Sequence, residues 1–489
     1  MTKPWPPPPI KPFDRLKVTD GLLINAQRWQ LAHQYHRQYH NVCYQSIHQP
    51  GIVCGLGVHI TTHPPEVGAT FRDERWVEIQ PGIAIDLYGN FIVVPEAMTY
   101  RISSEVKTEE SLIMVYLVVR FRDPEELRTR KTDEKVTETY RLDEKTSPPS
   151  EGDVELCRIL LKSGKVKLEN PRDVFFPSYN QLDLRYRLQA QARPQTIVQI
   201  ATYKEPAFSS SQMEGLMGIF SKPPAENPIV ANLSYLLQSV AGLYPPLQGS
   251  DEIGELTLQP EEVEKLLDYD LFFLTAPQSQ SLGESELEVL RQYLHSGGVV
   301  LVEVSTQGTT IEELSQVKQE LEKAIADLGT DSDINRYRRD LEDELRAIDS
   351  KLEEQVNQLC FSLKDFSDRL GISLESLQKL SRNHPLRLKP FLFAALPHID
   401  NYAIQLFTAD GLIVVIGNLS AAWGLDDILS LSRETIRTAQ EMGINILHFA
   451  WRRRQLTQGQ RSVETISPLP KKPKPSERTR RDDLYDRLI

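Results

Sequence analysis

The sequence predicts a multidomain chain of α+β and α/β class. An N-terminal helix plus a small β-barrel or sandwich comes first, then a mostly parallel α/β sheet with an inserted antiparallel helical hairpin. Three observations predict it. Between residues 51 and 161, short β-rich runs are separated by glycine, proline and asparagine turns. From residue 196 onward, strand-sized apolar runs alternate with amphipathic helical stretches, the pattern of a parallel sheet covered by helices. Between residues 311 and 359, apolar residues recur at three- and four-residue spacing in two blocks divided by "GTDSD".

Residues 1–24 form an extended proline-rich arm, "MTKPWPPPPIKPF" at its start, because successive prolines forbid a helix there. The module 25–177 opens with a helix predicted over Asn25 to Gln45, where Trp29, Ala32, His36, Tyr39 and Cys43 recur at helical spacing. Strands follow at "GIVCGLGVHI", "WVEIQ", "GIAIDL", "FIVVP", "SLIMVYLVVRF" and "ELCRILL". Tyr88-Gly89-Asn90 marks a hairpin, since glycine and asparagine tolerate positive φ.

Residues 178–195 read as a polar connector that begins with a turn of helix and stops at Pro194. The α/β domain spans 196–455. Its strands are "QTIVQIATY", "DLFFLT", "GVVLVEV" and "GLIVVIG", with helices at "NPIVANLSYLLQSVAGL", "GESELEVLRQYLHSG" and "ILSLSRETIRTAQEMGINILHFAWRRR". The coiled-coil hairpin 311–359 interrupts it, its second arm reaching about 39 Å at ~1.5 Å per residue. Twelve acidic and seven basic residues lie between Val317 and Leu359, which fits a solvated face or a partner-binding arm. The basic tail 456–489, with "ISPLPKKPKPSERTRR", cannot build a core and reads as disordered. Its last residues, "DDLYDRLI", suit either a docking peptide or a frayed end.

A chain of 489 residues with 40% hydrophobic and 25% charged residues is an ordinary globular composition. Its formal charge of −12 argues against nucleic acid as the main partner, because binding a polyanion requires a concentrated basic face. Four cysteines without CxxC spacing indicate neither a zinc ribbon nor a disulfide framework, and suit a reducing compartment. The longest apolar runs, such as Leu112 to Val119, fall well short of the roughly 18 residues a membrane helix needs. The expected protein is soluble, intracellular and cytoplasmic, with any attachment to an internal or cytoplasmic membrane running through a partner.

Few residues offer chemistry. His33, His36 and His40 share one helix at a spacing that can bring imidazoles to one metal, but no Asp or Glu in the same helix completes a site. Packing of the helix against the barrel is the default reading. Gly51 to Gly57 lacks the spacing of a phosphate-binding loop, so its glycines suit a bulge or a close backbone approach, with Cys54 a small buried residue. Ser305 and Thr306 follow a strand, and His384 or His398 would have to supply the base; neither strand-to-helix turn holds a cysteine or G-x-S-x-G. No carboxylate stands isolated in an apolar context. No catalytic, cofactor-binding or metal residue is therefore assigned.

Two stretches resemble known families. "FDRLKVTDGLLINAQRWQLAHQYHRQYH", "GIVCGLGVHI" and "VEIQPGIAIDLYGNFIVVP" together resemble a bacterial module with a "G.GVVCGL.V" strand and a "V.PG.AID..GR.I.V" hairpin, Asn90 standing where that family commonly has arginine. The resemblance implies an accessory structural protein at the baseplate end of a phage-tail-like contractile injection system. "DYDLFFLTAPQSQSLGESELEVLRQYLHSGGVVLVE", "RNHPLRLKPF", "GLIVVIGNLSAAWG" and "TAQEMGINILHFAWRRR" resemble an uncharacterised domain family with a class I glutamine amidotransferase-like, flavodoxin-related fold. The cysteine that an amidotransferase needs on its nucleophile turn is absent.

The resemblances imply a non-catalytic subunit whose partners are other particle subunits, baseplate proteins among them, and copies of itself. A hydrolase or amidotransferase-like enzyme using the sheet's carboxyl edge is the alternative, and a carbohydrate-binding or adhesive module a further one.

Overall fold

A computed structural model describes residues 8–106, 112–123, 137–164, 166–205, 228–328, 334–376, 383–399, 402–424 and 431–460, without the side chains of 334–336, 360 and 362. It is a mixed α and β chain that divides into two units, Met1–Arg193 and Pro194–Ile489. The first seven residues of the arm and residues 461–489 of the basic tail lie outside the described residues.

In the first unit α1 (Ala26–Ile47) precedes ten strands: β1 (Gly51–Gly55), β2 (Val58–Ile60), β3 (Trp76–Ile79), β4 (Gly82–Ile85), β5 (Phe91–Val94), β6 (Met98–Arg101), β7 (Leu112–Arg122), β8 (Thr139–Lys145), β9 (Asp153–Lys162) and β10 (Leu182–Asp183). They form three sheets, ordered β1-β4-β5, β2-β3-β6 and β10-β9-β7-β8. Among the described residues no barrel closes, which corrects the expected barrel: each short sheet ends before it can pair with the next. The sheets share one core, in which Ile52, Val77, Ile92, Leu117, Leu156 and Ile159 are buried.

The glycines do the local work their spacing implies. The β1–β4 register shifts between Ile52 and Cys54, and Gly55 has φ +65°, with a Cβ there landing 2.1 Å from the Pro81 carbonyl oxygen. Beyond the shift β1 turns outward, so Cys54 is exposed rather than buried. Residues 178–193 are not a helical connector. Leu182 and Asp183 pair with β9, the Ala190 N–H donates to Ile52, and the Arg193 N–H donates to Ile47. Backbone groups without a local partner find one in the adjacent strand and helix end.

The second unit holds β11 (Thr196–Val198), β12 (Ile200–Tyr203), α2 (Pro228–Leu243), β13 (Leu247–Gly249), β14 (Gly254–Leu256), α3 (Val263–Leu266), β15 (Leu271–Thr275), α4 (Ala276–Ser281), α5 (Glu284–His295), β16 (Val299–Val304), α6 (Thr310–Asp327), α7 (Ile334–Arg369), β17 (Glu375–Ser376), α8 (Pro385–Leu388), β18 (His398–Ile399), β19 (Tyr402–Ala403), β20 (Gln405–Ala409), β21 (Leu412–Ile416) and α9 (Arg433–Gln460). Seven strands form one sheet, β14-β12-β15-β16-β21-β20-β17. The first five are mutually parallel, and β20 and β17 join by antiparallel pairing.

Alternate residues of these strands enter two cores. Phe272, Leu274, Val300, Val302 and Val414 pack with α5 and α7 on one face; Leu271, Phe273, Val299, Leu301 and Ile413 pack with α2 and α9 on the other. Burial on both faces is why the strands read as continuous apolar runs.

The hairpin is longer than 311–359 suggests, because α7 continues to Arg369. Its last turns are core: Leu363 and Phe366 are buried, and the Arg369 guanidinium donates to the Leu282 carbonyl. Farther out, Ile348 and Leu352 are buried and Lys318 pairs with Asp349 at 2.6 Å. Helix α9 also outruns the expected tail boundary at 456, ending at Gln460. Near its end Arg453 donates to the carbonyls of Gly298 and Asp410, fixing it at the amino edge of β16 and β21.

Candidate functional site

The first unit offers a surface. Asn25 caps α1, its side chain accepting from the Arg28 N–H. None of the helix's 22 residues is buried. The stripe expected to pack on a barrel faces outward, with Trp29 and Tyr39 56% and 55% exposed. What meets the hairpin turn is polar: Gln45 donates to the Tyr88 carbonyl, and the turn at Gly89, φ +80°, comes so close that a Cβ would stand 2.5 Å from the Asn41 carbonyl oxygen.

The turn itself is clamped by Asp86, whose carboxylate accepts from the N–H groups of Tyr88 and Asn90. Burial pushes that carboxyl above its ordinary range against these hydrogen bonds.

Between α1 and this turn runs a groove. A hollow of about 420 Å³ is lined by His33, Arg37, His40, Tyr44, Phe91 and Phe121, and a neighbouring one of about 350 Å³ shares Arg37 and Phe121 with it. Tyr44 and Phe91 meet edge to face at 4.8 Å, and Arg37 pairs with Asp123 at 3.1 Å. His33 and His40 therefore line the groove, while His36 stacks against Tyr35. Among the described residues no group of three His, Cys, Asp or Glu side chains has the geometry to hold a metal.

A second apolar element is the loop around Val174-Phe175-Phe176. The Asp173 side chain accepts from the Phe175 N–H and its carbonyl from the Phe176 N–H, a tight turn that leaves both rings outward, 68% and 79% exposed. Consecutive exposed phenylalanines are what a solitary globular unit avoids.

The second unit gathers polar side chains at the carboxyl edge of its sheet. β15 ends at Thr275, whose hydroxyl and Gln278 form a capping box opening α4. One strand over, in register with Thr275, Glu303 is the penultimate residue of β16. Its carboxylate accepts the Ser420 N–H at 2.6 Å and the Ser420 hydroxyl. Alongside, the Ser305 hydroxyl and the Thr306 N–H both donate to Asn418 Oδ1, at 2.9 and 3.1 Å. Two polar clasps thus tie the exit of β16 to the loop after β21.

Glu303 sits deep while part of its side chain still reaches solvent. Burial pushes its carboxyl up to about 7, opposed only by dipoles, the Ser420 hydroxyl and the N–H groups of Ser420 and Leu419. Residues 252–451, which include this edge, match a family described as a domain of unknown function (DUF4159). No curated protein and no solved structure matches the chain.

The DUF4159-like region thus carries the carboxyl-edge cluster, and the groove and the Phe175 loop lie outside it. Within that region the residues the sequence suggested for chemistry are separated. Ser305 is committed to Asn418, whereas His384 caps α8 and lies against the Phe449 ring at 5.8 Å, burial lowering its proton affinity. His398 is exposed on β18, paired with Ala403. Glu303, Asn418 and Ser420 went unnoticed, although a lone carboxylate in "VVLVEV" is the signal of an acid enclosed by apolar neighbours.

Proposed function

We propose that the protein is a non-catalytic structural subunit of a contractile injection particle, held at the periphery of the baseplate by contacts with other subunits and with copies of itself. The observation that carries this reading is α1: a 22-residue helix none of whose residues is buried, with an aromatic stripe turned to solvent. A helix gains most of its stability from packing an apolar face, and this one fully buries no residue within its own unit. The Phe175 loop is a second such surface, and the hairpin α6–α7 a third contact element. The DUF4159-like region then serves as a frame, its sheet order being read as flavodoxin-related and amidotransferase-like.

Replacing Trp29 and Tyr39 by Ser tests this. Both rings are exposed, so the unfolding midpoint should move by no more than about 0.5 kcal/mol, while the variant should no longer co-purify with its particle. Full stoichiometry in the purified particle would count against the reading.

Glu303 favours a second reading, an enzyme working at the carboxyl edge. A carboxyl near neutrality is in the range for proton transfer. Turnover of an ester, amide or phosphoester that disappears in Glu303→Gln would support it.

A further inference from the structure

We propose that the groove along α1 receives the proline-rich arm of a second copy of this chain, residues Lys3–Ile10, so that copies join arm to groove. The inference rests on the assembly reading above and names one of its contacts.

The groove has the right lining and length. Residues 29, 33, 37, 40 and 44 fall on one face of a helix that turns about 100° per residue, and they span the stretch from Trp29 to Tyr44. The Trp29 and His33 rings touch at 5.2 Å, extending the aromatic track beyond the hollow that His40, Tyr44, Phe91 and Phe121 line. Aromatic-lined grooves of this kind suit a polyproline II strand, whose stiffness leaves little entropy to lose on docking. From His33 to Tyr44 the helix rises about 16 Å at ~1.5 Å per residue, and Trp5 to Ile10 as polyproline II cover about the same length at ~3.1 Å per residue. Lys3 and Lys11 bracket the run, and Glu138 stands at the groove's wall.

The chain's own arm points elsewhere. Phe13 sits on Tyr35 and Tyr39 at 6.3 and 6.0 Å, and those residues lie on the face of α1 opposite the groove. Ile10 is fully exposed. The described start of the arm is therefore anchored on the side of α1 away from the groove, which leaves the groove open to the arm of a second copy. Such a contact is heterologous, so it closes a reciprocal pair or ring or extends into a chain.

Native mass by light scattering at micromolar concentration tests it on the full chain, beside a variant with Trp5 and Pro6 to Pro9 replaced by Ala, and beside Phe91→Ser. The full chain should be oligomeric and both variants monomeric with unchanged unfolding midpoints, and an excess of a synthetic peptide of residues 1–10 should dissociate the oligomer. The same mass in all three proteins, whether monomer or oligomer, overturns the proposal. If the arm variant keeps the wild-type mass yet still co-purifies with the particle, the arm contact alone is refuted; loss of neither mass nor particle binding in Trp29→Ser with Tyr39→Ser would refute the assembly reading itself.

Discussion

Glu303→Gln removes the carboxyl's ionisation at the exit of β16 and keeps the side chain's shape. In the folded protein the carboxyl is raised from 4.5 to about 7, so the fold favours the protonated form. The stabilisation is complete below the unfolded value and is lost as pH rises through about 7. At about 1.4 kcal/mol per tenfold change in proton affinity, the whole effect is roughly 3 kcal/mol, and most of it falls between pH 5 and pH 8. Gln has no such titration: its carbonyl oxygen accepts the Ser420 N–H as before, and its amide faces a hydroxyl that can rotate to accept.

The assay is urea unfolding of both proteins in steps from pH 5 to pH 9, read as the difference in free energy between them, which cancels every other titrating group. The wild type should lose roughly 2 to 3 kcal/mol relative to the variant over that span. Parallel curves would show that water already hydrates the carboxyl freely, and the argument that burial raises it would fail.

Two further substitutions probe the frame. Phe272→Ala empties a fully buried site between β15 and the helices on its face, at an expected cost of about 3–5 kcal/mol by urea midpoint; a cost under ~1 kcal/mol would mean the layer is not packed. Gly89→Ala places a Cβ 2.5 Å from the Asn41 carbonyl oxygen at a residue with φ +80°, so thermal unfolding should report about 1–3 kcal/mol of destabilisation. An unchanged melting curve would show that α1 does not sit on the turn.

The second unit was legible because its strands are buried twice over. "LFFLT", "VVLVEV" and "LIVVI" become runs when both faces are covered, and the helices between them keep their stripes. The first unit misled for the opposite reason. The apolar stripe of α1 has helical spacing whether it meets a core or open solvent, so spacing alone assigned it to a barrel wall. Cys54 went the same way, its outward turn being set by a register shift that only the paired strand reveals.

What joins Glu303 to Ser420, and Ser305 to Asn418, is the adjacency of β16 and β21 across more than a hundred intervening residues. Sequence shows a carboxylate at the end of one strand and a serine after another, yet nothing in either segment says that the strands are neighbours. The hairpin inserted between them hides that adjacency further. The clasps cross that insertion: Ser305 and Thr306 donate to Asn418, and Ser420 donates to Glu303, tying the exit of β16 to the loop after β21, a strand whose residues are all buried.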